Sequence, residues 1–177
     1  MAPTLPPLVT AADMAAYGYP PASDAVLARA SARVRRYTGQ QITRGTSTVT
    51  LNGVGPWLLP QRPVVAVTSA VDADGQPVAF EVRGQHVYVD GCPPVTVTYE
   101  HGWDQLPDGL VEVVCQIANR LANQPDAVAS GVRQESAGGE AITWSVEALE
   151  GSAGLTPAER KALDGFFPRW PRTVMLR

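Results

Sequence analysis

Chemistry in this chain would have to start from very few groups. It holds two histidines and two cysteines. His86 lies in an alternating, strand-like run. His101 lies in Tyr99-Glu100-His101-Gly102-Trp103-Asp104, where two carboxylates flank an imidazole. Such a set could bind a metal ion or move a proton. Its spacing matches no ligand signature, and no second histidine is near in sequence. The reading adopted is a loop histidine at a strand-to-helix corner. Cys92 sits in a Gly-Cys-Pro-Pro turn and Cys115 in an apolar helical run. Two cysteines without a Cys-x-x-Cys motif build no disulfide framework, so both are expected reduced, as in a cytoplasm. Gly53-Val54-Gly55 lacks the dinucleotide-binding spacing, and neither a phosphate-binding loop nor a nucleophile elbow occurs. Asp72 and Asp74, beside Gly75, read as turn residues; a calcium loop needs more carboxylates at fixed positions. Trp57, Trp103, Trp144 and Trp170 are scattered, without the basic–aromatic pattern of an RNA-binding sheet. No catalytic residue, cofactor or metal is therefore expected, and the residues alone describe a soluble, non-enzymatic α+β domain.

The balance of charge points the same way. Seventeen acids against 14 Lys and Arg leave a net charge of −3. A dedicated phosphate-backbone binder would carry a basic field, though a local basic stripe is compatible with this total. Only 18 % of residues are charged, below the roughly 25 % usual in soluble domains. That suggests a surface partly covered by a partner. The start, MAPTLPPLVT, has no basic and apolar leader pattern, so no signal peptide is expected. No apolar run approaches the ~18 residues of a membrane span.

The element that must organise the rest is the stretch Asp108 to Asn123. Leu110, Val113, Val114, Ile117 and Leu121 recur at helical spacing, and Val111, Cys115, Ala118 and Ala122 widen the stripe. Asp108 is expected to cap its N-terminus. So broad an apolar arc suits a helix covered from two directions. Upstream, Thr10 should cap a short helix over Ala11 to Tyr17, stopped at Gly18. Ser23 should cap a helix from Asp24 to Thr38, with Gly39 as its stop. Leu27, Ala30, Ser31, Val34 and Tyr37 share one face of it. Arg29, Arg33 and Arg36 share another, readable as a solvated face or as a basic stripe toward an acidic neighbour or passing nucleic acid. From about Thr46 to Tyr99 the period changes to two, predicting four to six short antiparallel strands, with turns at Asn52-Gly53, Asp72 to Gly75 and Arg83 to Gln85. After the main helix, Ala127 to Gly131 could add a helical turn. Ile142, Trp144 and Val146 alternate as a strand or extended arm would. Thr156-Pro157-Ala158-Glu159 spells a capping box with proline at the first helical position, opening a helix to about Phe166. The tail to Arg177 mixes large apolar and basic residues, and should either fold back or dock on another chain. The fold class is α+β: a helical core with helices at about 11–17, 24–38, 108–123 and 157–166, a small antiparallel β-sheet inserted at about 46–99, an extended arm and a C-terminal tail, read as one domain over residues 1–177.

One junction carries a further signal. Val95 to Trp103, then Leu106-Pro107-Asp108-Gly109-Leu110 and an apolar helix, resembles the head–tail connector (adaptor, head-completion) proteins of long-tailed phages. There a strand ending in Tyr-x-x-Gly-aromatic leads through a proline to the main helix. Leu8-Val9-Thr10 before a short helix, the Tyr37-Thr38-Gly39 helix end, the Ser/Gly-rich arm and the Arg-bearing tail fit the same order. The resemblance implies a virion protein made in the host cytoplasm and placed at the head–tail junction. It implies a ring, commonly of twelve copies, below the portal, which extends the DNA channel and meets a stopper or tail-terminator protein. DNA would pass without sequence-specific binding, and no membrane would be involved. By analogy, portal docking falls to Phe166, Phe167, Trp170, Met175 and Leu176, and contact between subunits to Ile142, Trp144 and Val146. Two other readings stand beside it: a small immunity-type protein-binding module, and an enzyme using Glu100, His101 and Asp104.

Overall fold

A computed structural model describes residues 5–52, 55–90, 94–123, 134–137, 140–143 and 154–167. Contacts divide the chain into two compact units. One comprises residues 1–38 and 107–177, the other residues 39–106.

The first unit is helical. α1 spans Ala11–Ala16, α2 Asp24–Thr38, α3 Asp108–Ala122 and α4 Pro157–Phe166. Thr10 caps α1 through its hydroxyl, and the Asp13 carboxylate returns the bond, closing a capping box. The Thr156–Glu159 box at α4 forms as its sequence predicts, with Pro157 in the first turn. At α3 the cap differs from expectation by one residue. Pro107 occupies the N-cap position with no side-chain bond, and Asp108 is the first helical residue. The Pro107 carbonyl takes the Leu110 and Val111 N–H groups, so the proline fixes the entry, and Asp108 acts as a carboxylate in the first turn, favourable to the helix dipole.

Leu110, Val113, Val114, Cys115, Ile117, Ala118 and Leu121 of α3 are buried, and α1, α2 and α4 all pack on this helix. The flank is narrower than the sequence suggests: Val111 is half-buried and Ala122 exposed. α2 buries Leu27, Ala30, Ser31 and Val34. Ser31 is usable inside because its hydroxyl donates to the Leu27 carbonyl (2.7 Å) and accepts the Leu8 N–H (2.8 Å). A hairpin of β7 (Gln134–Ala137) and β8 (Glu140–Thr143) also belongs to this unit.

The second unit is all β. Its strands are β1 (Gly45–Leu51), β2 (Pro56–Leu58), β3 (Val64–Val71), β4 (Ala79–Arg83), β5 (His86–Asp90) and β6 (Val95–His101). They form two three-stranded antiparallel sheets, ordered β1-β6-β3 and β2-β5-β4, where the sequence reading expects one. The division follows pairing partners that periodicity does not encode. The strand that is last in sequence, β6, is central to its sheet, and the short β2 pairs across β5. Leu51, Leu59, Ala70, Val87, Val95, Val97 and Tyr99 make the common core. β6 alternates strictly: Val95, Val97, Tyr99 and His101 point in, Thr96, Thr98 and Glu100 outward.

The strand-to-helix corner shows why glycine stands at 102. Gly102 has φ +85, and a Cβ there would collide with the Thr43 and Ile42 carbonyl groups. The close approach lets the Trp103 N–H reach the Ile42 carbonyl (2.9 Å) and the Arg44 N–H reach the Trp103 carbonyl (3.0 Å). Ile42 itself has φ 73, an outlier for a β-branched residue. Full burial of its side chain offsets that strain.

Candidate functional site

The acid–base set considered around His101 does not converge. Strand alternation sends Glu100 and His101 to opposite faces. Arg44 pairs with Glu100 (2.6 Å) and Asp104 (3.2 Å) at the surface. His101 is not a loop residue but the fully buried end of β6. Its Nε2 shares a hydrogen bond of 2.9 Å with the Ser47 hydroxyl across the sheet, while Nδ1 is buried without a partner. A serine beside a histidine is half of a nucleophile–base pair, but among the described residues no third group orients the ring. Burial, and then the Arg44 charge, hold the imidazole below its ordinary pKa. Among the described residues, no three His, Cys, Asp or Glu side chains are placed to hold a metal ion. No helix there is long and apolar enough to cross a membrane.

A concave basic surface lies on α2. Arg29, Ala32, Arg33 and Arg36 line a concavity of about 270 Å³. Arg33, Arg36, Tyr37, Gly154, Leu155 and Arg160 line a second, of about 440 Å³. The two share Arg33 and Arg36 and so form one arginine groove. Its members differ in role. Arg33 is half-buried and donates to the Gly154 carbonyl (3.0 Å). Burial, with the like charges of Arg120, Arg29 and Arg36, holds its pKa below the ordinary value. Arg160 donates to the Leu155 carbonyl (2.9 Å). Arg29 and Arg36 are exposed.

Behind the groove lies an ion pair between α3 and α4. Arg120 grips Glu159 through two bonds of 2.9 Å and also donates to the Gly154 carbonyl (3.2 Å). Glu159 simultaneously accepts the Thr156 N–H (2.7 Å). Gly154 thus receives Arg33 from α2 and Arg120 from α3, which fixes where α4 begins. The signal in the sequence was the capping box itself, whose glutamate carries a second acceptor oxygen. Tyr37 adds a bond to Asp164 (3.0 Å), and Cys115 is a buried thiol whose pKa burial pushes up to about 11.

The other candidate residues are placed as follows. Phe167 is buried, and its N–H closes α4 on the Leu163 carbonyl (3.0 Å). Phe166 is half-buried, its ring close to Gly109 of α3. Phe167 therefore belongs to the subunit's own core, while Phe166 lies partly covered against α3 and keeps part of its ring open. Trp170, Met175 and Leu176 lie outside the described residues, as do Trp144 and Val146, Cys92 and the expected turn at Ala127 to Gly131. Ile142 lies in β8.

These features define a class: an α+β chain whose helical unit is interrupted in sequence by an all-β unit, with a basic groove and no assembled catalytic set among the described residues. No protein-family model matches the chain, and no curated protein matches it significantly in sequence. Among solved structures, it is similar to a chain of the virion of the native gene transfer agent particle, with TM-score 0.50 and 19 % identity, over 96 % of this chain and 97 % of that one. It also matches a chain in the neck of the empty particle, computed with C6 symmetry (TM-score 0.48, 20 % identity, 81 % and 91 % covered). A third match is in the neck of the native particle, computed with C12 symmetry (TM-score 0.47, 22 % identity, 82 % and 86 % covered).

Proposed function

We propose that the chain is a structural virion protein of the head–tail connector type. Copies form a closed ring below the portal, complete the head, extend the DNA channel and offer a platform to a stopper or tail-terminator protein. The observation that carries this reading is the full-length likeness in fold to a virion chain of a gene transfer agent particle. The junction from Tyr99 through Gly102 and Trp103 to α3 supports it, since that corner is built on close backbone approach and not on chemistry. A ring needs a heterologous contact that closes on itself. The residues from Pro168 to Arg177, with Trp170, Met175 and Leu176, would dock the portal. The arm bearing Ile142, Trp144 and Val146 would reach a neighbour.

Two measurements test this. Negative-stain images of the full chain, alone and with its portal protein, should show rings. Deleting Pro168 to Arg177 should leave a folded subunit that no longer pulls down the portal. Normal pull-down after the deletion removes the docking role; particles that mature and join tails without the protein remove the function.

A further inference from the structure

Charge is distributed unevenly between the two units. Residues 39–106 hold three arginines against six carboxylates and so carry the whole net charge of −3. The remaining residues hold eleven of each sign. Within the β unit, Arg44 takes Glu100 and Asp104, and Arg83 takes Glu81. Asp72, Asp74 and Asp90 make no ion pair among the described residues. Register brings these three to one end of the β4–β5 pair. Asp90 pairs with Ala79, at the start of β4. The turn holding Asp72 and Asp74 leads directly into that strand, tied by the Val71–Pro77 bridge. Asp72 spends its Oδ1 on the N–H groups of Asp74 and Gln76 (3.0 and 2.8 Å), which stiffens the turn. The tip is well exposed, from Ala73 to Pro77 and again at Asp90.

The helical unit offers the opposite sign in a concave setting, with Arg29 and Arg36 exposed and without an ion pair among the described residues. We infer that the arginine groove on α2 of one copy receives the acidic end of the β4–β5 pair of the next copy. This inference rests on the ring reading above, and names the two faces that a heterologous contact requires. A long polyanion such as DNA fits the groove less well. Its unit is neutral as a whole, whereas a phosphate-backbone binder presents a broad basic field. A short strand-pair end with three carboxylates, two of them on a preformed turn and the third at the end of β5, matches a groove with two open guanidinium groups and Arg33 behind them, and arginine suits carboxylates through its planar fork.

The experiment uses two full-length variants. One reverses the groove, Arg29→Glu with Arg36→Glu. The other reverses the tip, Asp74→Arg with Asp90→Arg. All four side chains are exposed, and circular dichroism checks that each variant folds. Each variant alone sets like charges face to face, and its association should weaken by roughly a hundredfold or more. An equimolar mixture restores both contacts, so rings should return with the two variants alternating, as native mass spectrometry would read. Wild-type rings should also loosen as salt rises, since such pairs are screened over about 8 Å at physiological ionic strength. If either variant assembles as wild type does, or if mixing fails to rescue, the pairing is wrong while the ring reading stands. If the groove variant still assembles but loses retention of duplex DNA, the groove serves nucleic acid and the pairing is overturned. If wild type stays monomeric even with its portal, the ring reading falls and takes the pairing with it.

Discussion

Replacing Glu159 by alanine removes three hydrogen bonds at once: two to the Arg120 guanidinium at 2.9 Å and one from the Thr156 N–H at 2.7 Å. Glu159 retains only 9 % of its exposure, while the Arg120 side chain retains 27 %. Breaking a fully buried pair by deleting one partner costs about 3–5 kcal/mol. Water can still reach Arg120, so the pair's share here is smaller, about 1.5–3 kcal/mol. Losing the glutamate half of the capping box adds about 0.5–1 kcal/mol. The sum is roughly 2–4 kcal/mol, and at about 2–4 °C per kcal/mol for a chain of this size the melting temperature should fall by about 5–15 °C. Urea denaturation followed by circular dichroism measures the first figure and a thermal scan the second. Glu159→Gln, which keeps the shape and part of the bonding, should lose less. Replacing both partners, Arg120→Met with Glu159→Met, should be milder than Glu159→Ala, because no charge is left stranded. A loss below about 0.5 kcal/mol for Glu159→Ala, or a double variant as unstable as the single losses added, would refute the claim that this pair fixes the start of α4.

Three further outcomes are expected. Gly102→Ala should destabilise by about 2–4 kcal/mol, combining the cost of a left-handed alanine with a collision against the Thr43 carbonyl; a near-neutral urea midpoint would show that this corner can relax. His101 has its pKa held below 6.5 in the fold by burial first and Arg44 second. The unfolded chain therefore takes up that proton at higher pH than the folded one, so stability is complete above about pH 6.5 and drains as pH falls below it. The slope from this one group is positive and bounded at about 1.4 kcal/mol per pH unit, and His101→Gln should lose that component; an unchanged slope between pH 7 and 5 refutes it. In a Cys92→Ser background, the Cys115 thiol, with its pKa at about 11, should resist an aromatic disulfide reagent at pH 8 until urea unfolds the chain; prompt labelling of native protein would contradict its burial.

The helices were the most legible part of the sequence. Periodicity over Leu110 to Leu121 marks the buried face of α3, and the boxes at Thr10 and Thr156 mark helix starts, because each signal is complete within a few residues. The strands were legible as strands, and the β4–β5 hairpin as a hairpin, for the same reason. Sheet membership was not. Thr48 meets Thr98, and Leu58 meets His86, and no local pattern records which distant strand a given run will pair with. His101 was misplaced on that account. A histidine after a β-rich run and before a glycine looks like a corner residue, whereas its burial follows from the register that brings Ser47 to its Nε2.

The sequence by itself determined the α+β class, the positions of the helices and the scarcity of groups able to do chemistry. Those depend on residue type and on spacing within one turn or one strand. Only the tertiary structure decided that Arg33 and Arg120 meet at the Gly154 carbonyl, that Phe167 packs inside, and that three aspartates gather at one end of a hairpin. A charge far along the chain exerts its effect through distance in space, and folding sets that distance by burying apolar faces that carry no record of which charges they will bring together.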